Sequence, residues 1–313
     1  MLSRAGLDRW TPHAVWISVL AANAPDVDVV AWLGGSLTYL NWHRHITHAL
    51  SAVPVMAALP LLLLRLGFRK RFPWRRAYLV SLVAAATHPL LDSLNTYGVR
   101  LGLPFTERWY RLDVTYVIDV WITGALLLAT VGPMLSRLVS EEIGARGAVG
   151  RGWAYFGLTF LVLHNMGRVV LHECAVATVD SRIYRGATPQ RVAAFPDPFA
   201  PWLWHGLVET DSFYAMPDVD LLRQFDPDDA RVYFKPAHSE WIPRARRATA
   251  VQDYLRFAQY PLWLEMPASS PREGVRVMVT DLRFSQPPQI RFAATALLDS
   301  EGRVVSSEFR FEP

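Results

Sequence analysis

Apolar residues are unevenly distributed along this 313-residue chain, and no other feature constrains the fold as strongly. Residues 10–176 contain long apolar runs, among which Ile46–Leu64 and Val114–Leu135 have the length of about 20 residues that a membrane-spanning helix needs. Residues 177–313 alternate between polar and apolar positions, as soluble β structure does. The pattern predicts an α-helical multi-span membrane domain of about five helices over residues 1–176, followed by a small, mainly β C-terminal domain over residues 177–313.

Basic residues between the apolar segments predict their orientation in a bilayer. The expected spans lie at about 10–26, 46–64, 77–92, 114–136 and 153–174. Basic residues are concentrated in the N-terminal tail and in the second-to-third and fourth-to-fifth connections. The densest group is Arg65, Arg69, Lys70, Arg71, Arg75 and Arg76. The positive-inside rule makes these regions cytoplasmic, so the opposite helix ends and the C-terminal domain are expected on the non-cytoplasmic face of the membrane.

The basic group between the second and third segments has a second interpretation, because clustered Arg and Lys also bind nucleic acid. Its place between two apolar segments favours a cytoplasmic loop, so we expect the lipid bilayer as a partner and no nucleic acid. The single cysteine, Cys174, excludes an intrachain disulfide.

The C-terminal residues carry strand and turn patterns rather than long helices. Strands are expected at Trp204–Tyr214 and Val275–Thr280, and a short helix at Ala248–Ala258. Ile290–Leu298 and Val304–Phe311 flank the tetrapeptide Asp-Ser-Glu-Gly, which is typical of a hairpin turn. These patterns predict a mainly β domain beside the non-cytoplasmic helix ends.

Asp and His residues are concentrated at the non-cytoplasmic ends of the apolar segments, where hydrophobic packing alone would not select them. The candidates are Asp26, Asp28, His43, His48, His88, Asp92, Asp113 and Asp119. Asp26 and Asp28 repel each other unless a cation or a hydrogen-bond donor lies between them. His88 and Asp92 are four residues apart, so on a helix they share one face and can bind the same metal ion. Asp119, inside a predicted span, is costly there and is expected to face a partner or a cavity.

Each of these residues alone has a simpler interpretation, such as a solvated helix end or an interfacial histidine, but together they predict a divalent metal site. Zinc suits the His-rich part of the set, manganese and magnesium are alternatives that suit the carboxylates, and the number of ligands permits two ions. Such an ion activates water for hydrolysis and polarises the scissile group. The predicted catalytic residues are Asp28, His48 and Arg44, the last of which would hold an anionic substrate.

These motifs resemble the YdjM-like family of membrane-bound metal-dependent hydrolases. The matching stretches are Pro25 to Asp28, His43 to His48, His88 to Gly98, and Asp113 with Asp119. The resemblance covers about residues 5–125, and the C-terminal part resembles the extra domain of longer members. It implies a multi-span inner-membrane protein with a metal-hydrolase site. Members usually begin with a short Thr-His segment before the stretch that opens this chain, so we expect either a start further upstream or a missing ligand.

Three functions remain open from the sequence. The first is a membrane metallohydrolase that acts on a phosphoester or a lipid-linked substrate. The second is a non-enzymatic membrane protein in which the His/Asp residues bind a structural or transported ion and the C-terminal domain binds a protein partner that the sequence does not identify. The third is a soluble helical enzyme whose apolar segments form its core.

Overall fold

The computed structural model describes residues 1–142, 150–268 and 274–311, and the side chains of residues 137–142 are left aside. Its described N-terminal part is helical. The helices are α1 (Leu2–Ala5), α2 (Ala14–Ala22), α3 (Ser36–Trp42), α4 (Val53–Leu62), α5 (Trp74–Asp92), α6 (Val120–Glu142) and α7 (Arg151–Asp180). A 3-10 segment, Pro25–Gly34, follows α2, and residues 143–149 of the predicted fourth-to-fifth connection lie outside the described residues.

Two helical stretches in the described residues, Leu50–Gly67 and Arg151–Asp180, are long and apolar enough to cross a membrane. In their most apolar windows only 33% and 17% of the residues are buried, so most of the apolar side chains face outward, as they would toward lipid. Helix α2 and the segment Pro25–Gly34 form a third candidate span that is bent by 45°. These outward apolar faces argue against the soluble-core alternative.

The described residues thus contain two or three candidate spans, and the five expected spans stay a prediction. The apolar part of α6, Val120–Ser136, is shorter than a full span, and the first turn of α5 contains Arg75 and Arg76. The span predicted from Val114 was wrong at its start, because α6 begins at Val120. The carboxylate of Asp119 accepts hydrogen bonds from the next backbone N–H groups and so caps the helix instead of lying inside it.

The C-terminal part contains two antiparallel sheets. The first has the order β1-β2-β3-β5, with β4 paired to β2; the second has the order β6-β7-β8-β9. The strands of the first sheet are β1 (Arg191–Pro196), β2 (Leu203–Glu209), β3 (Phe213–Met216), β4 (Asp218–Asp220) and β5 (Arg231–Phe234). The second sheet contains β6 (Pro261–Pro267), β7 (Val275–Asp281), β8 (Phe292–Leu298) and β9 (Val304–Phe311), preceded by helices α8 (Trp241–Ala245) and α9 (Thr249–Phe257).

The predicted fold class, a helical membrane region followed by a mainly β C-terminal domain, is therefore confirmed. The hairpin predicted around Asp299 is present as β8 and β9, and the predicted short helix is α9. The single strand predicted over Trp204–Tyr214 is two strands, because the Thr210 hydroxyl accepts from the N–H of Phe213 and closes a turn between β2 and β3.

Each sheet packs against a different part of the helical region. Ala175 and Val179 of α7 share a core with Trp204 and Val208 of the first sheet. Leu40 of α3 joins the core between α9 and the second sheet. Helix α7 also runs through the boundary predicted at residue 176 and ends at Asp180. The two regions are therefore continuous in their packing.

Candidate metal centre

Four chain segments bring the His and Asp residues together. Asp26 and Asp28 lie in the 3-10 segment that begins at Pro25, a residue suited to the first turn because its missing N–H is not needed there. His43 directly follows α3, and His48 ends the 3-10 turn Ile46–His48. His88 and Asp92 lie one turn apart at the end of α5, on the shared face that their spacing predicts.

Four ligand atoms form the centre of this cluster. The Nε2 atoms of His48 and His88 are 3.2 Å apart. Asp26 Oδ1 lies 3.4 Å from each of them. Asp92 Oδ2 lies 3.5 Å from His48 Nε2 and 3.4 Å from His88 Nε2. We call these four residues the metal cluster.

The hydrogen bonds of the two Nδ1 atoms determine whether the Nε2 atoms are donors or acceptors. His88 Nδ1 lies 2.6 Å from the carbonyl oxygen of Ala22, which can only accept, so Nδ1 carries the proton. His48 Nδ1 lies 3.2 Å from a carboxylate oxygen of Asp28 and is a donor for the same reason. In the neutral imidazoles both Nε2 atoms are therefore acceptors that face each other.

Acceptors at this distance need a cation or an extra proton between them. Asp92 Oδ2 is buried and has no hydrogen-bond partner among the described residues. Ligands at the usual zinc distances of about 2.0–2.2 Å lie about 3.3–3.6 Å apart in a tetrahedral site, and the separations given above are close to these values. Asp26, His48 and His88 form a group whose ligand atoms could hold an ion, and Asp92 Oδ2 lies beside both imidazoles. The donor atoms of these residues thus suit a divalent ion.

The carboxylates also change the charge of the buried imidazole. His48, which precedes the Leu50–Gly67 span, is fully buried. Burial lowers the pKa of His48, but its hydrogen bonds to Asp26 and Asp28 outweigh burial and raise the pKa above its usual value. The cluster therefore favours positive charge at its centre, which a bound metal ion would supply in place of a proton.

Asp28 is a supporting carboxylate behind His48. Its side chain is buried and accepts from the Arg44 N–H at 2.9 Å and the Thr47 hydroxyl at 3.1 Å, in addition to His48 Nδ1. A carboxylate in this place fixes the tautomer and the orientation of a metal-binding imidazole. Asp28 Oδ1 also lies 3.1 Å from His43 Nδ1, and Asp26, Asp28 and His43 form a second group whose ligand atoms could hold an ion.

Arg44 is buried and turned toward protein groups. Its Nη2 lies 2.9 Å from Asp92 Oδ1, and its Nη1 donates to Asn95 Oδ1 and the Gly98 carbonyl at 3.0 and 3.2 Å. The guanidinium also lies 4.9 Å from the centre of the Tyr97 ring. These contacts orient Asp92, whereas the sequence predicted that Arg44 would hold substrate.

Asp113 and Asp119 have other partners, and neither belongs to a group of described residues whose ligand atoms could share an ion. Asp113 is buried in a salt bridge with Arg111. Asp119 caps α6 and lies 3.5 Å from His164 Nε2. The structure thus gives both residues contacts of their own, away from the two groups above.

Sequence reasoning missed the Ala22 carbonyl and Asn95. A backbone carbonyl leaves no signal in residue types, so the partner of His88 could not be found from the sequence. Asn95 Oδ1 accepts from Arg44 and from the N–H groups of Tyr97 and Gly98. The Asn-x-Tyr-Gly pattern is a signal for this turn, because Asn accepts from backbone groups two residues on and Gly98 has a φ of 81°.

The fold combines helices that are long and apolar enough to cross a membrane with a candidate metal centre and a C-terminal β domain. The family model described as "YdjM inner membrane protein" matches residues 1–174, and the chain belongs to this family. A second model, "YfhP C-terminal alpha/beta plait domain", matches residues 240–311, which contain α8, α9 and the second sheet. The family and the apolar helices indicate an inner-membrane protein.

One curated relative supports the same arrangement. "Uncharacterized protein YfhP" of Bacillus subtilis (strain 168) is 32% identical over 157 residues, 44% of this chain and 48% of that protein. The chain thus spans about half the length of this relative. No solved structure matches the chain. The relative is uncharacterised, so the activity has to be argued from the site.

Proposed function

We propose that this protein is an inner-membrane, metal-dependent hydrolase of a phosphoester or lipid-linked substrate. The observation that carries the proposal is the pair of imidazole Nε2 atoms that face each other at 3.2 Å, with a carboxylate oxygen on either side. In this proposal Asp26, His48, His88 and Asp92 hold a divalent ion, zinc first and manganese or magnesium as alternatives.

The supporting residues of the cluster have distinct tasks. A bound ion would lower the pKa of a water molecule and polarise a phosphoryl or carbonyl oxygen of the substrate. Asp28 holds His48, and Arg44 holds Asp92 in place. Asp26 is the exposed member of the cluster, with 47% of its side chain accessible, so we propose that substrate approaches on its side.

The proposed substrate class follows from where the ligands lie. His48 lies just before the Leu50–Gly67 span, His88 and Asp92 lie in the last turns of α5, and Asp26 lies at the bend that follows α2. We propose that the polar head of a lipid meets the protein at these positions. The Arg75 and Arg76 end of α5 is opposite the His88 and Asp92 end. The positive-inside rule supports a cytoplasmic basic end and a metal cluster on the non-cytoplasmic face, together with the C-terminal domain.

Elemental analysis of the full chain, purified in detergent, tests the proposal. We expect stoichiometric metal in the wild type and in His205→Ala, which removes an exposed imidazole of the first sheet. His88→Ala should lose the metal, because a ligand is removed. Wild-type protein that carries no metal after purification and metal addition, or His88→Ala with full metal content, would contradict the proposal.

A structural or transported ion is the second candidate. It is favoured by the number of protein side chains around the imidazole pair, since a structural zinc site takes four protein ligands and leaves no open position for water. Hydrolysis of phosphoester or phospholipid substrates separates the two. Turnover that disappears in His88→Ala favours the hydrolase, whereas bound metal without turnover favours the structural site and excludes the enzyme.

A further inference from the structure

The C-terminal domain reaches the region of the metal cluster through a buried charge pair. Asp281 and Arg283 are both fully buried, and Arg283 Nη2 lies 2.8 Å from Asp281 Oδ2. The same guanidinium donates to the Phe257 carbonyl at 3.1 Å, inside its own domain, and to the Thr96 carbonyl at 2.9 Å, in the helical region. One side chain therefore joins the two regions by a charge-assisted hydrogen bond.

The acceptor of this bond belongs to the turn that holds Arg44. Asn95 Oδ1 accepts from Arg44 and from the N–H groups of Tyr97 and Gly98, so residues 95–98 form one hydrogen-bonded unit. The Gly98 carbonyl accepts from Arg44 as well. The Tyr97 ring packs at 4.8 Å from Phe257 and at 4.9 Å from the Arg44 guanidinium.

Two further hydrogen bonds fix α3, the helix that directly precedes His43. Ser36 donates to the Phe309 carbonyl of β9 at 3.2 Å. Asn41 donates to Asp253 of α9 at 3.1 Å. Helix α3, which ends just before His43, is thus seated on the second sheet and α9 independently of the turn at 95–98.

We propose that the C-terminal domain is a structural part of the metal centre, and that Arg283 is the positioning residue through which it orients Asp92. The connection runs from Arg283 to the Thr96 carbonyl, through the Asn95 turn to Arg44, and from Arg44 Nη2 to Asp92 Oδ1 at 2.9 Å. The Arg283 guanidinium hydrogen-bonds to Asp281, Thr96 and Phe257 and has no acceptor atom with which to bind a cation, so it acts on the geometry of a ligand. The inference rests on the proposed function.

The chemistry of this link requires arginine. The Arg283 side chain makes three hydrogen bonds to Asp281 and also donates to two carbonyls, which its planar fork of five N–H donors permits. Burial alone raises the pKa of Asp281, but Arg283 outweighs it and keeps the carboxylate ionised. Lysine keeps the charge but replaces the fork by a single ammonium group, so it cannot make all of these contacts.

Arg283→Lys in the full detergent-purified chain tests the proposal, with Arg244→Lys as the matched control. Arg244 lies in the same domain and donates to the Glu301 carbonyl at 3.0 Å, away from the turn. We expect zinc affinity to fall by about 10-fold in Arg283→Lys, the lower end of the effect of outer partners of metal ligands. The absorption spectrum of bound Co²⁺, which reports ligand geometry, should change as well, and Arg244→Lys should match the wild type in both.

The inference is overturned if a folded Arg283→Lys protein has the zinc affinity and the Co²⁺ spectrum of the wild type. If that variant does not fold, the double variant Asp281→Asn with Arg283→Gln removes both buried charges. The same two measurements then apply to the double variant: a change supports the inference, and wild-type values overturn it. Wild-type protein that binds no zinc would refute the proposed function itself. Wild-type binding that is unchanged in the variants would refute only the role of Arg283.

Discussion

The protein contains two buried groups of charged residues whose hydrogen bonds differ. In the pair Asp281 and Arg283, each carboxylate oxygen meets a guanidinium nitrogen, and the remaining donors find carbonyls. In the metal cluster, acceptors face acceptors, and Asp92 Oδ2 has no hydrogen-bond partner among the described residues. A satisfied pair stabilises the fold without further components, whereas an arrangement of facing acceptors is complete only when a cation is bound.

Breaking the satisfied pair should have the largest effect on stability. Arg283→Met leaves Asp281 as an unpaired buried carboxylate, and removing one partner of a buried pair costs about 3–5 kcal/mol. Thermal unfolding of the detergent-purified protein should show a much lower melting temperature, with and without added metal. A variant as stable as the wild type would show that the pair is not needed for folding.

Removing the metal should be the next largest change, and it acts only on the cluster. A ligand that binds the folded state stabilises it by about 2.7 kcal/mol when present at 100 times its dissociation constant. Chelation should therefore lower the melting temperature of the wild type, and added zinc should restore it. His88→Ala should not respond to either treatment, because it lacks a ligand. If chelation and added zinc change the melting temperatures of the wild type and His88→Ala equally, the result would argue against an ion in the metal cluster.

Asp28→Asn should weaken metal binding without abolishing it. The substitution keeps the shape of the side chain but removes the charge that holds His48 Nδ1–H and the Arg44 N–H. Outer partners of metal ligands typically contribute about 10- to 100-fold in affinity, or about 1.4–2.7 kcal/mol. Zinc competition titration measures this change. A complete loss of metal would instead make Asp28 a direct ligand.

Asp119→Ala should have the smallest effect, and it distinguishes a helix cap from a metal ligand. Loss of an N-cap carboxylate costs about 1 kcal/mol of stability. The melting temperature should fall slightly and the metal content should not change. A loss of metal would show that Asp119 acts in the metal centre as the sequence predicted.

The residues of the metal cluster differ in how far the sequence predicts their positions. Residue type and spacing are enough to place His88 and Asp92 on one helix face, and in the structure both lie close to His48. Their role as metal ligands stays a prediction. Asp119 was placed within a helix because apolar residues flank it on both sides, and only the backbone contacts reveal it as a cap. The sequence predicts that Arg44 binds substrate, because its partners in the structure, Asp92 and Asn95, lie about 50 residues away in the chain and give no local signal.

In the fold, too, elements with a local sequence signal are predicted correctly and long-range packing is not. The hairpin of β8 and β9 has a local signal, an alternating pattern around a turn, and its prediction is correct. The packing of α3 on the C-terminal domain has no local signal, because Leu40 has the same residue type whether it faces lipid or a sheet. Long-range partners of this kind follow from tertiary packing rather than from periodicity.

The seating of α3 on α9 has a consequence for biosynthesis. Asn41 and Asp253 are 212 positions apart, so α3 leaves the ribosome long before its packing partner is made. Domains fold as the chain emerges, N-terminal first, and exposed apolar surface in such intermediates promotes aggregation. The face of Leu37 and Leu40 must therefore wait, covered by lipid or by the membrane insertion machinery, until translation of the last quarter of the chain provides its permanent cover.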